Sequence, residues 1–172
     1  MGVTFYCGLH DGWLECGLTV NGVSVRHSVA GWYDGLRELI AAACEIVGRL
    51  DEATAFFQEE PGEFRWRITR LAANRVRVRV IEFDDWGAGR PDEAGKLLFD
   101  QPCGVLSLAT AIYAGSGEWL TEVERADWVE MANCLREQRK ELADILRPYD
   151  YSRWHQARTD AGQSAAADRP SE

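Results

Sequence analysis

Four residues near the amino terminus, Cys7, His10, Cys16 and His27, are of types that ligate zinc. A structural zinc site needs four donors converging on one point. The hairpin read below sets Cys16 beside His27, but nothing in the sequence aligns Cys7 and His10 with them, and the spacing follows no common zinc module. No metal is therefore expected, and Cys16 and His27 are expected to pack together. Cys16 as a His-assisted nucleophile would also need accessibility and an orienting third group, so no catalytic residue is assigned. A second set is carboxylic: Glu59, Glu60 and Glu63 stand at one end of a central hairpin, near where Asp84 and Asp85 leave it. Paired carboxylates run acid–base chemistry or hold a hard cation when burial separates their pKa values. Turn carboxylates are ordinarily solvated, so these five, with Trp86 in the acidic loop beside them, are assigned to partner binding instead. The third set is Arg65, Arg67, Arg77 and Arg79, alternating along two runs. On one open sheet face they would bind phosphate or stack on bases. A face laced to Glu15, Glu82 and neighbouring acids would carry no such footprint.

The elements that must hold these residues are legible in part. Phe64 to Thr69 and Val76 to Val80 flank the break Ala72-Ala73-Asn74-Arg75 and read as one antiparallel hairpin. Its period of two puts Phe64, Trp66, Ile68, Val76, Val78 and Val80 on one face and the four arginines on the other. Ile81 and Phe83 have the opposite parity, which predicts a bulge or strand end there. Upstream, Asn21-Gly22 between two alternating runs is a type I′ hairpin signal, because both central residues need positive φ. Its register would pair Leu18 with Val25, Cys16 with His27 and Leu14 with Val29. Asp34 is placed to cap a helix running to about Leu50. Thr54 to Gln58 reads as a short strand, 84–95 as a loop, and Lys96 to Phe99 as an edge strand. Cys103 to Ala114 reads as a buried helix closed by Gly115-Ser116-Gly117. Thr121-Glu122-Val123-Glu124 has the spacing of a capping box opening a long last helix that Pro148 stops.

Length and composition bound the rest. With 172 residues, 46% of them hydrophobic and seven tryptophans, the chain fits one domain over 1–155. From about residue 156 the sequence has no periodicity and reads as a disordered tail. Five cysteines without Cys-x-x-Cys spacing make a poor disulfide framework. No leader peptide or membrane span is visible, and a cytoplasmic protein is expected. A net charge of −9 repels nucleic acid and anionic membranes and suits a basic protein partner.

An aromatic first hairpin, Tyr33-Asp34 opening a leucine-rich helix, Glu60-Pro61-Gly62-Glu63-Phe64-Arg65-Trp66 entering an alternating strand pair, and carboxy-terminal helices follow in that order. Over about residues 10 to 147 the chain resembles small bacterial proteins found among the immunity proteins of polymorphic toxin systems. The resemblance implies an acidic, non-enzymatic, cytoplasmic single domain that binds and blocks a cognate toxin without a cofactor. The expected fold is α+β: an antiparallel sheet of two hairpins or a meander, with the first and last helices packed on the face bearing Leu18, Val25, Trp66 and Val78.

Overall fold

The computed structural model describes the backbone of residues 2–10, 13–29, 32–59, 61–85, 89–126 and 128–167, and the side chains of these except 32–34 and 150–167. The order is β1 (Val3–His10), β2 (Trp13–Val20), β3 (Val23–Val29), α1 (Trp32–Val47), β4 (Glu52–Gln58), β5 (Glu63–Ala72), β6 (Arg75–Phe83), a 3-10 turn (Asp92–Ala94), β7 (Lys96–Gly104), α2 (Val105–Arg125) and α3 (Val129–Ala167). The fold is α+β with antiparallel strands. These divide into two sheets, β1-β2-β3 and β4-β5-β6-β7, because β1 pairs with β2 and closes the first hairpin into a sheet of its own.

The β2–β3 hairpin turns at Asn21 and Gly22, with φ of 51° and 87°. Its register pairs Leu18 with Val25, Cys16 with His27 and Leu14 with Val29. In β1 the inward residues are Phe5 and Cys7, while Tyr6 faces outward and lies across Gly17, where a Cβ would come within 2.1 Å of the ring. Trp66 sits in the middle of the second sheet between Ala55 of β4 and Val80 of β6, with no exposed surface. Its indole meets Phe5 edge-on at 6.0 Å, so the inner faces of the two sheets share one core. Helix α1 packs on β4 and α2 on β1, whereas α3, the last helix and expected on the sheet face, lies instead over both helices.

Several boundaries differ from the sequence reading. Helix α1 begins at Trp32, ahead of the expected cap at Asp34, whose side chain lies outside the described residues. It ends at Val47 rather than Leu50. Arg49 turns out through a left-handed φ of 78°, and the Leu50 amide closes back on the Glu45 carbonyl, leaving Leu50 half exposed. Helix α2 does not stop at Gly115-Ser116-Gly117. A Cβ at Gly115 would lie 2.3 Å from the Phe5 carbonyl oxygen, so that glycine permits close helix-on-strand contact instead of breaking the helix. Nor does Thr121 cap a new helix: its hydroxyl donates to the Gly117 carbonyl inside α2, and α3 starts at Val129. Pro148 lies within α3, which runs past it without the amide hydrogen that proline lacks. The side chains of the expected tail from 156, and everything from 168, lie outside the described residues.

Candidate functional site

Period-two alternation sets Arg65, Arg67, Arg77 and Arg79 on the outer face of the second sheet, with Arg67 and Arg79 directly opposite one another on β5 and β6. Like charges so placed repel. Residues 89–95, ahead of β7, resolve this by lying over the face and lowering Asp92 into it. Asp92 Oδ1 accepts from Arg65 Nη1 and Arg67 Nη2, each at 3.0 Å, and Oδ2 accepts from Arg67 Nε at 3.2 Å and Arg79 Nη2 at 3.1 Å. Arg65, only 3% exposed, also donates to Glu63 Oε1 from Nη2 at 3.0 Å and to the Arg90 carbonyl at 2.8 Å. Its guanidinium lies 4.4 Å from the centre of the Phe83 ring. Arg67 further pairs with Glu52, and Arg77 with Asp100 across the β6–β7 ladder.

Charge on both sides fixes the protonation of this cluster. Burial alone would push the Asp92 carboxyl up, but hydrogen bonds from Arg67 and Arg65 and the charges of Arg67 and Arg79 outweigh it and hold the group below the usual carboxylate range. The Arg77 hydrogen bond holds Asp100 low in the same way. Beside the cluster runs an open groove of about 660 Å³ with Glu38, Phe56, Gln58, Arg67, Arg90 and Pro91 in its walls. Glu38 of α1 caps the edge of β4 there, its carboxylate accepting the Phe56 amide at 2.8 Å.

The acids expected to gather do so incompletely. Gly62 allows the β4–β5 turn to press on the end of β6, where a Cβ would lie 2.5 Å from the Phe83 carbonyl oxygen. Desolvation, and then the nearby charge of Glu82, raise the Glu59 carboxyl above its ordinary value. Lys96 bonds Glu82 at 2.9 Å. Asp84 and Asp85 are exposed, and Asp85 accepts from Arg90 at 2.6 Å. Glu63 is not at this surface: it is buried under the outer face against Arg65. Glu60 and Trp86 lie outside the described residues.

The amino-terminal set also separates. Trp66 Nε1 donates to His27 Nε2 at 2.9 Å, and the imidazole stacks on Phe64 at 4.5 Å with Phe57 edge-on at 5.0 Å. Burial pushes the His27 pKa down to about 3, and its Nδ1 finds no hydrogen-bond partner among the described residues. Cys16 lies beside His27 in the register and faces Cys7 on its other side, whereas His10 sits opposite Trp13 at the far end of β1. Among the described residues no three His, Cys, Asp or Glu side chains are grouped to hold a metal ion.

Acids do lace the arginine face, but the two that the sequence singled out do not reach Arg65, Arg67, Arg77 or Arg79, and Glu15 lies 3.9 Å from Arg26 instead. Glu15 accepts from Tyr6 and Glu82 pairs with Lys96, while the acids that reach the arginines are Asp92, Glu63, Glu52 and Asp100. A usable signal was present. Ile81 and Phe83 fall on the arginine face yet are apolar, so that end of the face needed a cover, and 84–95 is the chain that follows. Gly95 fills the close approach, with Ile81 and Phe83 side-chain atoms at 2.5 and 2.8 Å from where its Cβ would be.

Among the described residues no helix is long and apolar enough to cross a membrane. No family model and no solved structure matches the chain. The chain is similar to a BTB/POZ domain-containing protein of Arabidopsis thaliana, 27% identical over 134 residues that cover 73% of this chain and 30% of that protein. It thus spans under a third of the length of this relative.

Proposed function

We propose that the chain is a non-enzymatic binding module whose acidic surface engages a basic protein, in the manner of an immunity protein that occupies its toxin. The observation that carries this reading is the convergence of Arg65, Arg67 and Arg79 on Asp92. With Glu63, Glu52 and Asp100 taking up further guanidinium contacts, the arginine face of the second sheet is neutralised from within. The chain's net charge is −9, and exposed acids available to a partner include Asp84, Glu93, Glu118 and Glu130. Complementary charge speeds encounter and rejects wrong partners. Similarity to part of a protein whose name records a domain rather than a reaction agrees with a binding role.

The alternative, a polyanion binder working through the arginine face, would need those guanidinium groups free, and their carboxylate partners oppose it. The decisive experiment is to read the neighbouring reading frame for a large secreted protein with a variable C-terminal domain and to co-express that domain with this chain. The expected result is rescue of growth and a one-to-one complex. Association should slow about tenfold when Asp84 and Asp85 are both changed to lysine, as for other steered encounters. Failure to bind or rescue removes the immunity reading.

A further inference from the structure

Cys7 and Cys16 are direct register partners on β1 and β2, and both side chains point into the core. Their sulfurs lie 2.9 Å apart in a thiol–thiol hydrogen bond, and neither is in a disulfide. A disulfide bond spans about 2.0 Å, so a small side-chain adjustment on a fixed register closes the gap. Of the other cysteines, Cys44 lies in α1, Cys103 in β7 and Cys134, exposed, in α3, and none has a cysteine as its strand partner.

We propose that Cys7 and Cys16 are a redox modification site: a dithiol that a low-molecular-weight disulfide such as oxidised glutathione converts to a cross-strand disulfide. One cysteine thiolate attacks a glutathione sulfur, the glutathione S–S bond breaks, and one glutathione leaves, taking up the proton the cysteine lost. The sulfur of the second cysteine then attacks the protein sulfur of the mixed disulfide and expels the second glutathione. Two hydrogens pass from the cysteines to two glutathiones, and the new bond joins β1 to β2. Burial, then the hydrogen bond to Cys16, push the Cys7 thiol up, so Cys7 stays protonated and reacts slowly in the closed fold. Opening of β1 gives access, since among the described residues β1 is an edge strand paired only with β2. Glu122 of α2 holds that edge, accepting the Leu9 amide at 3.0 Å.

The test uses the full chain carrying Cys134→Ser, which removes the exposed thiol and with it disulfides between molecules. One sample is incubated folded with oxidised glutathione, and a second is refolded from urea in a buffer of oxidised and reduced glutathione. Both are quenched with an alkylating agent and mapped by mass spectrometry after proteolysis. The refolded sample is expected to yield a Cys7–Cys16 linked peptide pair, lighter by two hydrogens, in most molecules, and the folded sample the same pair more slowly. Dithiothreitol should release it, and Cys16→Ser should abolish it while Cys44→Ser leaves it in place. Full alkylation of Cys7 and Cys16 in both samples, or preferential pairing of either with Cys44 or Cys103, overturns the proposal.

Discussion

Asp92 decides at the scale of one residue whether the outer face of the second sheet is cationic. Its two oxygens serve three guanidinium groups, one of them, Arg65, almost wholly buried. Removing one partner of a buried pair strands the other charge, which costs more than replacing both. Asp92→Ala should therefore lower stability by about 3 kcal/mol in urea unfolding. The double variant Asp92→Ala with Arg65→Met should lose less than the sum of the singles, and additive losses would show that the pair is uncoupled. His27 sets a second residue-scale expectation. Its folded pKa of about 3 lies below the ordinary 6.5, so the unfolded chain binds the proton first as pH falls. The stability it protects is complete above pH 6.5 and drains toward pH 3, by about 1.4 kcal/mol per pH unit. Asp92 and Asp100, held low, begin to add to this loss only near their ordinary value of 3.8, whereas Glu59, held high, acts in the opposite sense. Between pH 6 and 5 the slope should therefore follow His27, and His27→Phe should flatten it in thermal melts; an unchanged slope would assign it elsewhere.

Elements repeat the lesson that spacing along the chain reports pairing better than it reports closeness. Asn21-Gly22 settled the register of β2 against β3 because turn chemistry and alternation are both local. The two faces of β5 and β6 were legible for the same reason, as was the register shift at Val80/Ile81. Strand β1 was not, since Gly8 interrupts its alternation and its outward Tyr6 needs a glycine on the neighbouring strand to lie against. Gly115-Ser116-Gly117 read as a helix break because a glycine that admits a neighbour's backbone looks, in sequence, like one that ends a helix. Gly115→Ala would press a methyl on the Phe5 carbonyl and should cost about 2 kcal/mol, within the range for overpacking, with β1 amides exchanging faster as α2 is pushed away. A neutral substitution would mean that α2 and β1 are not in such contact. The Asp92 contacts lay beyond sequence reasoning for a related cause: Asp92 is 25 positions from Arg67, and only the placement of residues 89–95 over the sheet brings them together.

For the whole molecule, Arg65, Arg67, Arg77 and Arg79 each meet a carboxylate on the outer face of the second sheet, and the proposed partner surface falls to the exposed acids. Most of the architecture followed from local patterns, because one core made from two inner faces and amphipathic helices follows from where apolar residues recur. The candidate site followed less well, since charge pairing across a sheet depends on which acids a loop delivers. Salt-dependent binding reads the electrostatic claim directly, because a free arginine face would release counterions from a polyanion. The measurement is fluorescence anisotropy of a short labelled single-stranded oligonucleotide titrated with the protein at low salt. No saturable binding is predicted for the native chain. Saturable binding that weakens with salt and is lost in the combined Arg67→Glu and Arg79→Glu variant would contradict the neutralised face and restore the polyanion reading.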